Sequence, residues 1–318
     1  MKRFLLGSAA FILFCSVTYV AATIVIGSLN LSSVNNLKFR LGGPGHLFTK
    51  IQELDSTRNV DILFLGSSHA YRGYDTRKFS KLGFRAFNLG SSAQTPLQTE
   101  MLVNTYLKQL NPKLVVVDIH PGLFSSDGIE STLDLLNNGK LNFDLMSLAL
   151  KSRNIKVYNT MLVAGFRQAF DLNRDFKEPI RRGHDTYVPG GYVETYQTFK
   201  PKGRNKAGSV TYKVSDHQLN ALTNIIDILK QNHIPYILVR NPAVSAYYKS
   251  IKNNAATDSL FAKFGDYYNF NNIITLPDSA FYDNSHLNQI GVDIFNDRLI
   301  DLLISKKILV KDSQTSQL

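Results

Sequence analysis

The stretch ILFLGSSHAYRGYD, Ile62 to Asp75, decides the fold. Four apolar residues stop at Gly66, and two serines and a histidine follow. An apolar strand that breaks into small residues sets their side chains at the mouth of a sheet, where open α/β sheets bind their ligands. Serine at such a break also caps a helix or turn, so the segment alone leaves both roles open.

Working outward, apolar runs recur at Val60–Leu65, Phe84–Leu89, Leu114–Ile119 and Tyr236–Val239, with a weaker one near Tyr267–Phe270. Runs without alternation predict strands buried on both faces, as in parallel sheets. Helical periodicity fills the gaps at Thr95–Leu110, at Ser215–Asn232 with Ser215 as N-cap, and at Val292–Ile304. Strands alternating with helices predict a doubly wound α/β sheet. One interval, 122–214, breaks the rhythm: it reads as helical over Leu141–Phe170 and as Gly-rich, basic and aromatic over 181–213. An insertion after the C-terminal end of a strand falls on the ligand-binding face, as a structural elaboration or as a lid or acceptor-binding element.

Phe4 to Ile26 is almost wholly apolar. About 20 such residues span the hydrocarbon core of a bilayer. Lys2 and Arg3 precede the run, which keeps the N-terminus cytoplasmic and sends the rest outside. Val20-Ala21-Ala22 is an acceptable signal-cleavage site, and cleavage there would release a soluble domain. The apolar run continues past that site, which favours an uncleaved anchor. The expected division is an anchor at 1–27, a linker at 28–50 containing Gly42-Gly43-Pro44-Gly45, a folded domain at 51–310 and a flexible tail at 311–318.

With 318 residues, 44% of them apolar and 20 of them Phe, the chain has ample material for a core. Its net charge of +11 suggests an anionic neighbour, such as membrane lipid or a charged polymer. No arginine-rich run or zinc-finger spacing points to nucleic acid. Cys15 is the one cysteine, so no intramolecular disulfide can form, and the bulky Phe14 before it argues against lipidation. His46, His184, His217 and His233 lack partners at ligand spacing. Neither a P-loop nor a dinucleotide fingerprint is present. No metal or other cofactor is expected.

Near the far end stands Asp283-Asn284-Ser285-His286. On a helical turn, residues spaced i, i+3 share a face. The aspartate could then hold one imidazole nitrogen and aim the other at Ser68, whose hydroxyl is a weak nucleophile until a base takes its proton. The bland alternative is a polar loop before the last helix. His69 adjoins Ser68, and adjacent side chains rarely face each other, so it reads as a supporting residue or a substrate contact.

In order and placement these segments resemble the SGNH/GDSL-type hydrolase superfamily. That superfamily has a serine after strand one, a glycine after strand two and Asp-x-x-His near the C-terminus. The corresponding residues are Gly66-Ser67-Ser68, Asn88-Leu89-Gly90 and Asp283 to Asn288. With the anchor, they look most like the branch related to the D-alanyl transfer protein of teichoic acid modification and to anchored proteins of polysaccharide O-acylation. The resemblance implies a three-layer α/β/α fold with a parallel five-stranded sheet in flavodoxin-like order. It implies Ser68, His286 and Asp283 as a catalytic triad and the N–H groups of Ser68 and Gly90 as oxyanion donors. Asn88 and His120 become further candidates for substrate contact, although both also suit plain strand ends. The third block departs from the pattern: Val117-Asp118-Ile119-His120-Pro121-Gly122 has no asparagine. The implied activity is acyl-ester hydrolysis or acyl transfer on a cell-envelope polysaccharide, with a multi-pass membrane acyltransferase as partner. The implied alternative is a non-catalytic binding or scaffold protein of the same fold.

Overall fold

The computed structural model describes residues 1–29, 34–198 and 209–309. Its main sheet has five strands: β1 Ile62–Leu65, β2 Ala86–Asn88, β3 Leu114–Asp118, β7 Tyr236–Arg240 and β8 Tyr267–Asn269. They run in the order β2-β1-β3-β7-β8, and every pairing is parallel. In main-sheet sequence that is 2-1-3-4-5, the flavodoxin-like order, with the switch point between β1 and β3.

Alternation along the strands sends side chains into two separate cores. Leu63, Leu65, Val115, Val117 and Leu238 face one way, packing with residues of helices Leu47–Leu54, Pro96–Leu110 and Asp216–Gln231. Ile62, Phe64, Val116, Ile237 and Val239 face the other way, against Val292, Phe295, Leu299 and Leu303 of helix Gln289–Ser305. The result is a three-layer α/β/α domain. Burying each of these large side chains contributes about 1.5–3 kcal/mol.

Two segments differ from expectation. The stretch expected as a linker is packed: Leu37 and Phe39 join Val163 and Ala164 in an apolar cluster, and Leu47 is wholly buried. The insertion, expected as helix and loop, also contains a second sheet, β4 Arg181–Arg182, β5 Asp185–Val188 and β6 Tyr192–Thr195, all antiparallel. Strands this short carry too few residues to show a period. The turn at Gly190-Gly191 reaches the main sheet, where Asn88 N–H donates to Gly190 C=O at 2.7 Å. A Cβ on Gly191 would lie 2.1 Å from Asn88 O, so only glycine allows this approach. The hairpin thereby caps the exposed edge of β2, a site prone to unwanted strand pairing. The rest of the insertion forms helices Ile129–Asn138, Phe143–Lys151 and Ile155–Ala169. The expected continuation at 199–208 and the tail at 311–318 lie outside the described residues.

One N-terminal helix, Lys2–Ser28, is long and apolar enough to span a membrane.

Candidate active site

β1 ends at Gly66, whose φ of +140° and 2.7 Å approach to Asp118 Cβ exclude a side chain. The chain then turns into the short helix Ser68–Gly73. Ser67 is its N-cap: wholly buried, its Oγ accepts from His69 N–H at 3.2 Å. Ser68 is the first helical residue and half-buried, and its Oγ stands 2.7 Å from His286 Nε2 across 218 residues of sequence. The two adjacent serines therefore occupy different positions, one holding the turn and the other facing His286.

Asp283 and His286 meet through a loop rather than the helical turn expected. Asp283 Oδ1 accepts the N–H groups of Ser285 and His286 at 2.8 and 2.9 Å, and Tyr282 N–H closes on His286 C=O at 2.8 Å. The short carboxylate side chain thus folds its own loop. Its other oxygen, Oδ2, lies 2.8 Å from His286 Nδ1. Burial alone would raise the Asp283 carboxyl; the bond to His286, that ring's charge and the two backbone N–H groups outweigh it and hold the pKa at about 2. A folded-state pKa below the unfolded value stabilises the fold above the ordinary carboxylate range. That contribution is expected to fade as pH falls from about 4 towards 2, and to be missing in Asp283→Asn. Acid unfolding of the two proteins, compared by circular dichroism, checks this: coincident curves would refute it.

His69 is sandwiched between two other imidazoles, with ring centroids 4.1 Å from His120 and 4.4 Å from His286. Burial lowers His69 well below the ordinary range and takes His120 to about 3, so both rings are neutral near pH 7. His69 thus packs face to face with the ring of His286 on one side and that of His120 on the other.

Two expectations are corrected. Gly90 N–H donates to Asn88 Oδ1 at 3.1 Å, and its carbonyl accepts from the buried Lys50 Nζ. The amide is engaged and is not a free oxyanion donor; that of Ser68 has no hydrogen-bond partner among the described residues. Asn88 is wholly buried, donating to Ala70 C=O at 2.7 Å and Tyr74 C=O at 3.3 Å. It ties the Ser68 helix to the Gly90 loop and cannot touch substrate.

Asn241 escaped sequence reasoning. It follows β7, and its Nδ2 donates to His69 C=O at 2.9 Å while its Oδ1 accepts from Tyr74 OH at 2.8 Å. It pins the Ser68 helix to the end of β7. The same signal that exposed Ser68, a polar residue just after an apolar strand, could have found it. Asn241→Leu takes its donor from the His69 C=O and leaves Tyr74 OH only the longer bond to Asp118 Oδ2 at 3.3 Å, which costs about 1–3 kcal/mol. Urea unfolding should show the loss; an unchanged midpoint would contradict the pinning role.

No family model matches the chain, and no curated protein matches it. Among solved structures it is similar to a "putative acylhydrolase" from Bacteroides fragilis NCTC 9343, with 13% identity and a TM-score of 0.41, covering 84% of this chain and 99% of that one. It is also similar to a GDSL-like lipase from Bacteroides thetaiotaomicron VPI-5482, with 14% identity and a TM-score of 0.42, covering 83% and 98%. At such identities and scores the likeness reaches the general course of the chain and no further.

Proposed function

We propose that the protein is a serine-dependent acyl-ester hydrolase or acyltransferase of the SGNH type. The continuous hydrogen-bond relay from Ser68 Oγ through His286 to Asp283, with links of 2.7 and 2.8 Å, carries the reading. Ser68 Oγ attacks the ester carbonyl, and its proton passes to His286 Nε2. Asp283 holds the ring and balances the charge that forms on it. Ser68 N–H faces the developing oxyanion. As the carbonyl re-forms, the alcohol leaves with the proton from His286. Water or a sugar hydroxyl, deprotonated in turn by His286, then attacks the acyl carbonyl, and as the bond to Ser68 Oγ breaks His286 returns the proton to that oxygen.

The apolar N-terminal helix, with Lys2 and Arg3 as its first two residues, supports an anchored domain outside the cytoplasmic membrane. By resemblance the substrate is an acylated cell-envelope polysaccharide or polymer, and a multi-pass membrane acyltransferase is the partner. The engaged Gly90 amide and the missing third-block asparagine favour a second reading, a non-catalytic scaffold of the same fold. A fluorophosphonate probe separates the two. The enzyme reading expects covalent labelling that maps to Ser68; a folded protein that is never labelled overturns it. Asp283→Asn is expected to reduce turnover of a small ester by about 10⁴-fold, because the imidazole loses the partner that sets its tautomer. Steady-state rates check this, and an unchanged rate would remove Asp283 from the relay.

A further inference from the structure

We infer that the turn joining helices Phe143–Lys151 and Ile155–Ala169 dips into the outer leaflet beside the N-terminal helix, as a second membrane contact that binds anionic headgroups. This rests on Lys2–Ser28 being a membrane span.

The level of the turn follows from its contacts with that helix. Val163 packs against Gly27 so closely that a Cβ there would lie 2.5 Å from Val163 Cγ2. One turn earlier in the second helix, Asn159 Oδ1 accepts from Tyr19 OH at 2.8 Å. Asn159 therefore sits closer to the bilayer centre than Val163, and Ile155 lies a further turn down. About 20 residues cross the hydrocarbon core. A span that begins after Arg3 leaves the core near residue 24, so Tyr19 to Gly27 brackets the outer interface. Ile155, two turns or about 12 Å below Val163, then lies among the acyl chains of the outer leaflet, a depth from which the long Lys and Arg side chains of the turn reach back up to the headgroups.

The chemistry at the turn suits that depth. Leu150 and Ile155 are 57% and 49% exposed although both are large and apolar. Met146, one turn before Leu150, is also exposed, and Tyr158 OH joins the helices by donating to Leu150 C=O at 2.9 Å. Lys151, Arg153 and Lys156 adjoin Leu150 and Ile155 in sequence, and none has an ion-pair partner among the described residues. No Asp or Glu occurs between Leu145 and Phe170. Exposed apolar tips among unpaired cations fit the boundary between acyl chains and anionic headgroups.

The chain has no tryptophan, so single substitutions report without background. Full-length protein carrying Leu150→Trp or Ile155→Trp would be reconstituted in phosphatidylcholine–phosphatidylglycerol vesicles with brominated acyl chains. Phe11→Trp reports on the span. Phe170→Trp lies 15 residues beyond Ile155, roughly 22 Å along the helix at 1.5 Å per residue. Strong quenching at positions 11, 150 and 155, with none at 170, is expected. Quenching at 11 but not at 150 or 155 overturns the second contact and leaves the turn to a protein partner. No quenching at 11 overturns the span and the second contact with it. Quenching at 170 but not at the turn overturns the orientation.

Discussion

Ser68→Ala is expected to reduce ester turnover by on the order of 10⁴–10⁶-fold and to abolish fluorophosphonate labelling. The substitution removes one atom, the Oγ that stands 2.7 Å from His286 Nε2. It leaves the local backbone intact, because Ser67 is the N-cap of the helix. His286 is only half-buried, so water can replace the lost hydroxyl at small cost. Stability should therefore change by no more than about 0.5 kcal/mol, as for substitutions away from core features. Ser67→Ala is the informative contrast: it loses the cap, costs about 1 kcal/mol and keeps the labelling. If Ser68→Ala retains full turnover, Ser68 is not the nucleophile and the scaffold reading gains.

Asp185→Ala is expected to destabilise the domain by about 3–5 kcal/mol, the cost of leaving a buried charge without its partner. Arg72, on the Ser68 helix, donates to both Asp185 oxygens at 2.8 and 2.7 Å, and its side chain is 7% exposed. The guanidinium also lies over the Tyr282 ring, 4.8 Å from its centroid and one residue before Asp283. One ion pair therefore clasps the β5 hairpin to both parts of the candidate site. Removing the carboxylate strands the guanidinium in a poorly solvated pocket. Arg72→Met with Asp185→Leu removes both charges and should recover much of the loss. Urea unfolding of the single and double variants measures both effects. A loss below about 0.5 kcal/mol for Asp185→Ala would mean that the hairpin is loosely attached, as a lid would be.

The main sheet was legible because its strands are buried on both faces and therefore nearly continuous in apolar residues. The helices Pro96–Leu110, Asp216–Gln231 and Gln289–Ser305 were legible from periodicity and caps, with ends displaced by at most three residues from expectation. The second sheet was not, because strands of two to four residues carry no reliable period. Residues 28–50 looked like a linker because Ser, Asn and Gly suggest freedom. Yet a Cβ on Gly45 would lie 2.8 Å from Tyr71 Cε1, so that glycine marks a close approach.

By itself the sequence determined the fold class, the strand ends and the residue types placed there: Ser68 after β1, Gly90 after β2 and Asp283 with His286 before the last helix. These follow from periods and breaks a few residues long, which local sterics and burial dictate. Only the tertiary structure decided that Ser68 Oγ meets His286, that Asn88 takes the Gly90 amide, that Asn241 pins the Ser68 helix and that Arg72 finds Asp185. Apart from Asn88 and Gly90, these pairs join residues more than 100 positions apart, and no local preference selects one partner over another at that range. Packing the two cores against the sheet brings them together. The Gly90 amide shows the same limit at close quarters, since a two-residue spacing cannot reveal which acceptor a donor finds.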